Sequence, residues 1–184
     1  MPRAKRSDLV DPKQVQAFHC TSRCVRRAFL CGRDDYSGQD YEHRRQWIED
    51  LTIELLQFFA LDLISVAILS NHMHHCLRTR PELVERWDDR EVARRWLGIY
   101  PKRRDKQGRP KKPTDKEIQS IVGDPPRVAQ LRERLSSLSW FFQRLKETIA
   151  KRANQEDGVD GRFFAGRFGS SRLDDDEAVL GSSV

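Results

Sequence analysis

Residues 61–79, LDLISVAILSNHMHHCLRT, set an apolar run of strand length beside a second extended run, with Ser70-Asn71 between them. Ile64, Val66 and Ile68 alternate in the first run, the period-two pattern of a half-buried strand. Ser and Asn favour turns because their short polar side chains bond the nearby backbone, so the stretch reads as two adjacent strands joined tightly. The second strand carries His72 and His74 two residues apart. Side chains at that spacing project from one face about 7 Å apart, while Met73 points into the other layer. Both imidazoles can then reach one ion and leave coordination positions open, as an ion that polarises a phosphate requires. Cys76 shares their parity, so a zinc site of two histidines, this cysteine and a further ligand is a competing arrangement. Histidines at a surface or interface, with no ion, are the third.

Outward from this stretch, Trp47, Leu51, Leu55 and Phe58/Phe59 recur at steps of three and four, with Arg44, Arg45, Glu49 and Asp50 opposite. This spacing predicts a helix from Tyr41 to about Leu61. Before it, residues 17–24, AFHCTSRC, read as a strand followed by a glycine-containing loop. Strand, helix, strand, strand begins an α+β, ferredoxin-like fold, in which helices cover one face of an antiparallel sheet. Late in the chain, residues 136–154, SSLSWFFQRLKETIAKRAN, predict a helix, and GRFFAGRFGSSRL after it can supply another strand. Residues 81–135 interrupt the pattern. PELVERWDDREVARRWLGIY reads as one helix, and KRRDKQGRPKKPTDK, with eight basic residues against two acidic, as a mobile basic loop. The expected organisation is an N-terminal tail (1–14), one domain (15–178) with a helical and basic insertion (81–135), and a short tail (179–184).

The chain has 184 residues, 34% of them charged, with a net charge of +6, which suits a single polar domain whose default polyanionic partner is nucleic acid. No apolar run reaches membrane-spanning length and the N-terminus lacks a signal-peptide core, so a cytoplasmic protein without a membrane partner is expected. Cys20, Cys24, Cys31 and Cys76 are irregularly spaced and read as reduced, packed thiols. Arg162, Arg167 and Arg172 interleave with Phe163, Phe164 and Phe168, a combination suited to phosphate contacts and base stacking. Equally, these phenylalanines can be core and the arginines solvated. Lys111 and Lys112 belong to the basic loop and add sequence-independent attraction to phosphates.

In this order of elements the chain resembles the HUH single-strand transposases, in particular the REP-associated tyrosine transposase branch. The resemblance rests on FHCTSRCVRRAFL, ILSNHMHHCLRT, SLSWFFQRLKETIAKRAN and GRFFAGRFGSS, and spans about residues 15–178 around the insertion. It implies DNA transposition within a mobile element, single-stranded or hairpin DNA as partner, and a homodimer as an option. It also implies that His72 and His74 hold Mg²⁺ or Mn²⁺ in preference to Zn²⁺, with Asn154 or Gln155 as third ligand unless these residues close the helix. Members of the family attack the phosphorus with a tyrosine on the late helix. Here Ile149 aligns with that tyrosine and Arg152 with a second position often aromatic, and the only tyrosines are Tyr36, Tyr41 and Tyr100. Three routes remain: a substitute hydroxyl such as Tyr100 or Thr148, metal-activated water giving a nickase, or DNA binding without cleavage by a domesticated or decayed relative. Relatives continue past the segment matching DDDEAVL, so a truncated C-terminus is a further expectation.

Overall fold

Four strands form one antiparallel sheet in the computed structural model, which describes residues 11–26 and 28–173. These are β1 (Ala17–Arg23), β2 (Leu61–Ile68), β3 (His72–Thr79) and β4 (Gly169–Leu173), hydrogen-bonded in the order β2-β3-β1-β4. Helix α1 (His43–Leu56) joins β1 to β2, and α2 (Pro81–Arg86), α3 (Asp89–Ile99), α4 (Asp115–Val122), α5 (Pro125–Leu135) and α6 (Leu138–Asp157) separate β3 from β4. The α+β class and the antiparallel sheet are as expected. β1 and β2 run parallel with β3 between them, and β3 and β4 run parallel with β1 between them. This split β-α-β arrangement is compatible with the ferredoxin-like expectation.

Strand register sorts the side chains. Phe18 faces Leu77, Cys20 faces His75 and Ser22 faces Met73, all buried on the side that α1 and α6 cover. On β2 a bulge at Ile64 lets Leu63 pair with Leu77 and Val66 with His75, so both apolar residues reach the helix side although they are three apart. A strictly alternating strand would put one of them on the opposite face.

α6 presents Leu138, Phe141, Phe142, Leu145, Ile149 and Ala153 to the sheet in one stripe and runs past the expected end, to Asp157. Gly158 then takes a left-handed conformation (φ 64°), which lets the chain turn away. α1 buries Ile48, Thr52 and Leu55. Arg44, expected on the polar face, is fully buried instead. Its guanidinium donates to Phe29 O (2.8 Å), to Glu156 Oε2 (3.0 Å) and to the Asp157 carboxylate, so each face of the charge is met. The insertion also differs from expectation. The predicted single helix breaks at Trp87-Asp88, where Asp88 accepts from the Glu91 N–H and caps α3. α4 and α5, which were not expected, begin at a Thr114/Glu117 capping box and at Asp124 followed by prolines. Their apolar faces (Ile118 and Ile121; Val128, Leu131 and Leu135) join Val92, Trp96 and Leu97 of α3 in the core. The basic segment is a closed turn: Asp105 accepts from the N–H groups of Gln107 and Arg109 and pairs with the Arg109 side chain, while Arg103 pairs with Glu117. Most of the N-terminal tail (1–10), the acidic DDDE and the expected truncation at the C-terminus lie outside the described residues.

His75 is the charged-or-neutral decision of the core. Its Nε2–H donates to Thr52 Oγ1 (3.3 Å), whose own proton goes to Ile48 O (2.9 Å), and its Nδ1 is buried without a partner among the described residues. Burial, with His74 as a lesser cause, lowers its pKa from 6.5 to about 4. Between these values the unfolded chain binds a proton that the folded chain excludes, so stability is full above pH 6.5 and is lost as pH falls towards 4. At pH 5 the His75 share of this loss is about 2 kcal/mol. Denaturant unfolding at pH 7 and pH 5 should therefore show a smaller loss in His75→Leu than in wild type by roughly that amount. Arg44→Leu should cost about 3 kcal/mol at pH 7 in the same measurement, because Glu156 and Asp157 lose the buried partner that links the helix ends.

Candidate functional site

The sheet face away from α1 and α6 carries polar chemistry. Across β1 and β3, His19 lies opposite Cys76, Thr21 opposite His74 and Arg23 opposite His72. Alternation fixes this: His75, between His74 and Cys76, sends its ring to Phe141 and Phe142 of α6, with centroids 6.4 and 5.4 Å apart. His72 and His74, as their spacing predicts, share a face, with ring centroids 4.9 Å apart. Both are partly accessible, and Arg23 beside them is exposed.

Each of these two rings is held by its Nδ1. His72 Nδ1 lies 2.7 Å from Asn71 Oδ1, an oxygen that can only accept, so this nitrogen bears the proton and the Nε2 lone pair is left free. His74 Nδ1 lies 2.7 Å from His19 Nε2, with Thr21 Oγ1 at 3.4 Å. Partial burial, and then the neighbouring His19 and His72, keep the His74 pKa below the usual imidazole value. The neutral form, which binds metals, therefore prevails at pH 7. Among the described residues no group of three His, Cys, Asp or Glu converges to hold an ion. His19 and His74 engage each other through one nitrogen each, and Cys76 is buried. Two partly accessible imidazoles on one strand face, each engaged through its Nδ1, fit a divalent ion whose other positions go to water or a phosphate oxygen.

The late helix packs on the other side of the sheet, against His75. Ile149 is 1% exposed within the stripe that packs on the helix side, so a tyrosine at that position would enter the core with the sheet between it and His72. Thr148, beside it on the same helix, has a buried hydroxyl without a partner among the described residues. Tyr100 packs against Trp96 in the insertion (4.7 Å between centroids) and has a likewise unpaired hydroxyl. Asn154 donates its side-chain amide to Gly161 O (2.9 Å) and accepts backbone bonds from Gly158 and Val159, closing the helix end. Gln155 is exposed on the same helix. Arg152 lies over the Trp47 ring at 4.2 Å.

The expected DNA-binding residues separate. The segment carrying Arg162 and Arg167 is tied to the end of β1, with Val25 N–H donating to Phe163 O and Ala165 N–H to Arg23 O, each at 2.9 Å. Since Arg23 pairs with His72, this segment adjoins the histidine end of the sheet. Phe163 and Phe164 are core residues, 3% and 8% exposed, which corrects their reading as open stacking platforms. Arg162 and Arg167 are exposed and, with Lys146, Gln143 and Phe168, line a cavity of about 800 Å³. Lys146 donates to Gly166 O (2.5 Å) and lies over the Phe164 ring, which fixes its charge at the cavity. Arg172 is exposed on β4, and Lys111 and Lys112 line a different cavity, with Phe58 and Arg95, at the insertion. Sequence reasoning missed His19, Arg23 and Lys146. The period-two spacing of His19, Thr21 and Arg23 carries the first two, once β1 is known to pair with β3.

No family model and no curated protein matches the chain. No helix among the described residues is long and apolar enough to cross a membrane.

All four cysteines are buried, and burial pushes the Cys24 thiol up to about 12. The native protein at pH 7 should therefore resist maleimide labelling and take up four labels once unfolded, as mass spectrometry reads directly. Cys76→Ala should leave divalent-ion affinity unchanged by calorimetry.

Proposed function

We propose that this chain is a transposase-like protein of the HUH type that binds single-stranded or hairpin DNA and holds Mg²⁺ or Mn²⁺ through His72 and His74. One observation carries the reading: two partly accessible imidazoles on one face, each engaged through its Nδ1, lie beside Arg23 on the central strands of a split β-α-β sheet. An ion held there supplies Lewis-acid polarisation of a phosphodiester. The protein's own residues do the binding. Arg23 attracts a phosphate next to His72, and Arg162, Arg167 and Lys146 continue a basic path from the end of β1. The net charge of +6 favours approach of the polyanion.

Because Ile149 stands at the family's tyrosine position and lies in the buried stripe on the helix side, the reading favours DNA binding without a covalent tyrosine step. Nicking by activated water is the second reading, favoured by the coordination positions that two imidazoles leave open. A homodimer, and a role in transposition within a mobile element, belong to the same proposal. Incubation of labelled hairpin DNA with Mn²⁺ should give a mobility shift without cleavage. Free nicked product would establish the hydrolase instead, a covalent adduct the full transposase, and no shift would overturn DNA binding. Arg162→Ala combined with Arg167→Ala should weaken single-strand binding and make its dependence on log salt shallower by about 1 to 1.5.

A further inference from the structure

We infer that His19 and Asn71 are positioning residues that select which nitrogen of each paired histidine is offered to an ion, a role that rests on His72 and His74 being the ligands. A neutral imidazole has one N–H and one lone pair, so holding the proton on Nδ1 is the same act as freeing the lone pair on Nε2. Asn71 Oδ1 does this for His72 from the adjacent position, at 2.7 Å. His19 does it for His74 from the neighbouring strand.

The geometry of the His19–His74 pair is that of a directed hydrogen bond. The planes differ by 8° and the centroids lie 5.0 Å apart, which is the 2.7 Å nitrogen–nitrogen distance with a ring radius added at each end. The rings therefore lie side by side in one plane, with His74 Nδ1 aimed along the in-plane lone pair of His19 Nε2. No ion fits between nitrogens this close, so His19 acts through His74 and is not itself a ligand. With His74 donating, His19 carries its proton on Nδ1, and Thr21 Oγ1 at 3.4 Å lies on the same Nδ1 edge of the His74 ring. Both candidate ligands thereby present the same nitrogen type towards the open face. A ligand histidine is ordinarily oriented by such a partner, and loss of the partner weakens binding about 10- to 100-fold.

Nitrogen-15 NMR of the imidazoles in the metal-free full chain, with Mn²⁺ affinity by calorimetry, tests the role. Wild type should show His72 and His74 both protonated on Nδ1. His19→Phe keeps a planar ring but removes the acceptor; it should move His74 to the Nε2–H form, leave His72 unchanged and weaken Mn²⁺ binding about 10- to 100-fold. His19→Gln places an amide oxygen near the lost nitrogen and should restore most of the affinity. Asn71→Leu should act in the same way on His72 alone. An Nε2–H proton on His74 in wild type, wild-type affinity in His19→Phe, or a His19→Gln variant as weak as His19→Phe would each overturn the positioning role. If His72→Ala and His74→Ala leave Mn²⁺ affinity intact, the ligand reading fails and this role with it. If those two lose affinity while His19→Phe does not, only the positioning role falls.

Discussion

Alternation along β3 is the constraint on which the rest depends. This strand is paired on both sides, by β1 and β2, so its residues cannot tilt to share faces and are sorted strictly into two sets. Met73, His75 and Leu77 go to the helices, and His72 and His74 to the open face. A slip of one residue would exchange the sets, burying the candidate ligands and exposing the core. The chain accepts a neutral, half-satisfied imidazole in its interior as part of this arrangement, and Thr52 is placed to take its one proton. His75 thus belongs to the fold and His74 to the site, although the two are consecutive.

The end of the sheet that holds the histidines is clasped from several directions. Cys24 N–H donates to Asn71 O and Leu30 N–H to Ser70 O, so the chain leaving β1 grips the β2–β3 turn. Arg45 donates to Ile68 O (2.5 Å), and the buried Arg44 ties the same loop, through Phe29 O, to the end of α6. The turn is therefore fixed on its backbone, and Asn71 has its side chain left for His72. Core packing and site geometry meet in these few bonds.

Much of this was legible in residues 61–79 alone, because alternation along β3 and a Ser-Asn turn are local signals that the sheet did not override, whereas the bulge at Ile64 breaks the alternation read for β2. The paired orientation of His72 and His74 followed from spacing. What stayed hidden was whatever depends on partners distant in the chain. Arg44 reads as a solvent-facing charge until Glu156 and Asp157 arrive beside it. Phe163 and Phe164 read equally as stacking platforms or as core until the backbone bonds to Arg23 and Val25 turn them inward. Ile149 reads as a vacant nucleophile position until the stripe on α6 is seen to face away from the histidines. The insertion helices are a different case: their capping residues, Thr114 with Glu117 and Asp124 before prolines, were local signals masked by the surrounding basic residues.

The place of β4 has a consequence for how the molecule assembles. It pairs with β1 across nearly the whole chain, whereas β2 and β3 form a hairpin and the insertion helices contact one another locally. Closing so long a loop is entropically slow, so the hairpin and the helical insertion can order first, while one edge of β1 keeps its backbone groups unpaired. That edge runs beside His19 and Thr21. Folding in that order would leave the neighbourhood of the histidines as the last part of the sheet to be sealed, with the unpaired edge open to wrong strand pairing until β4 docks.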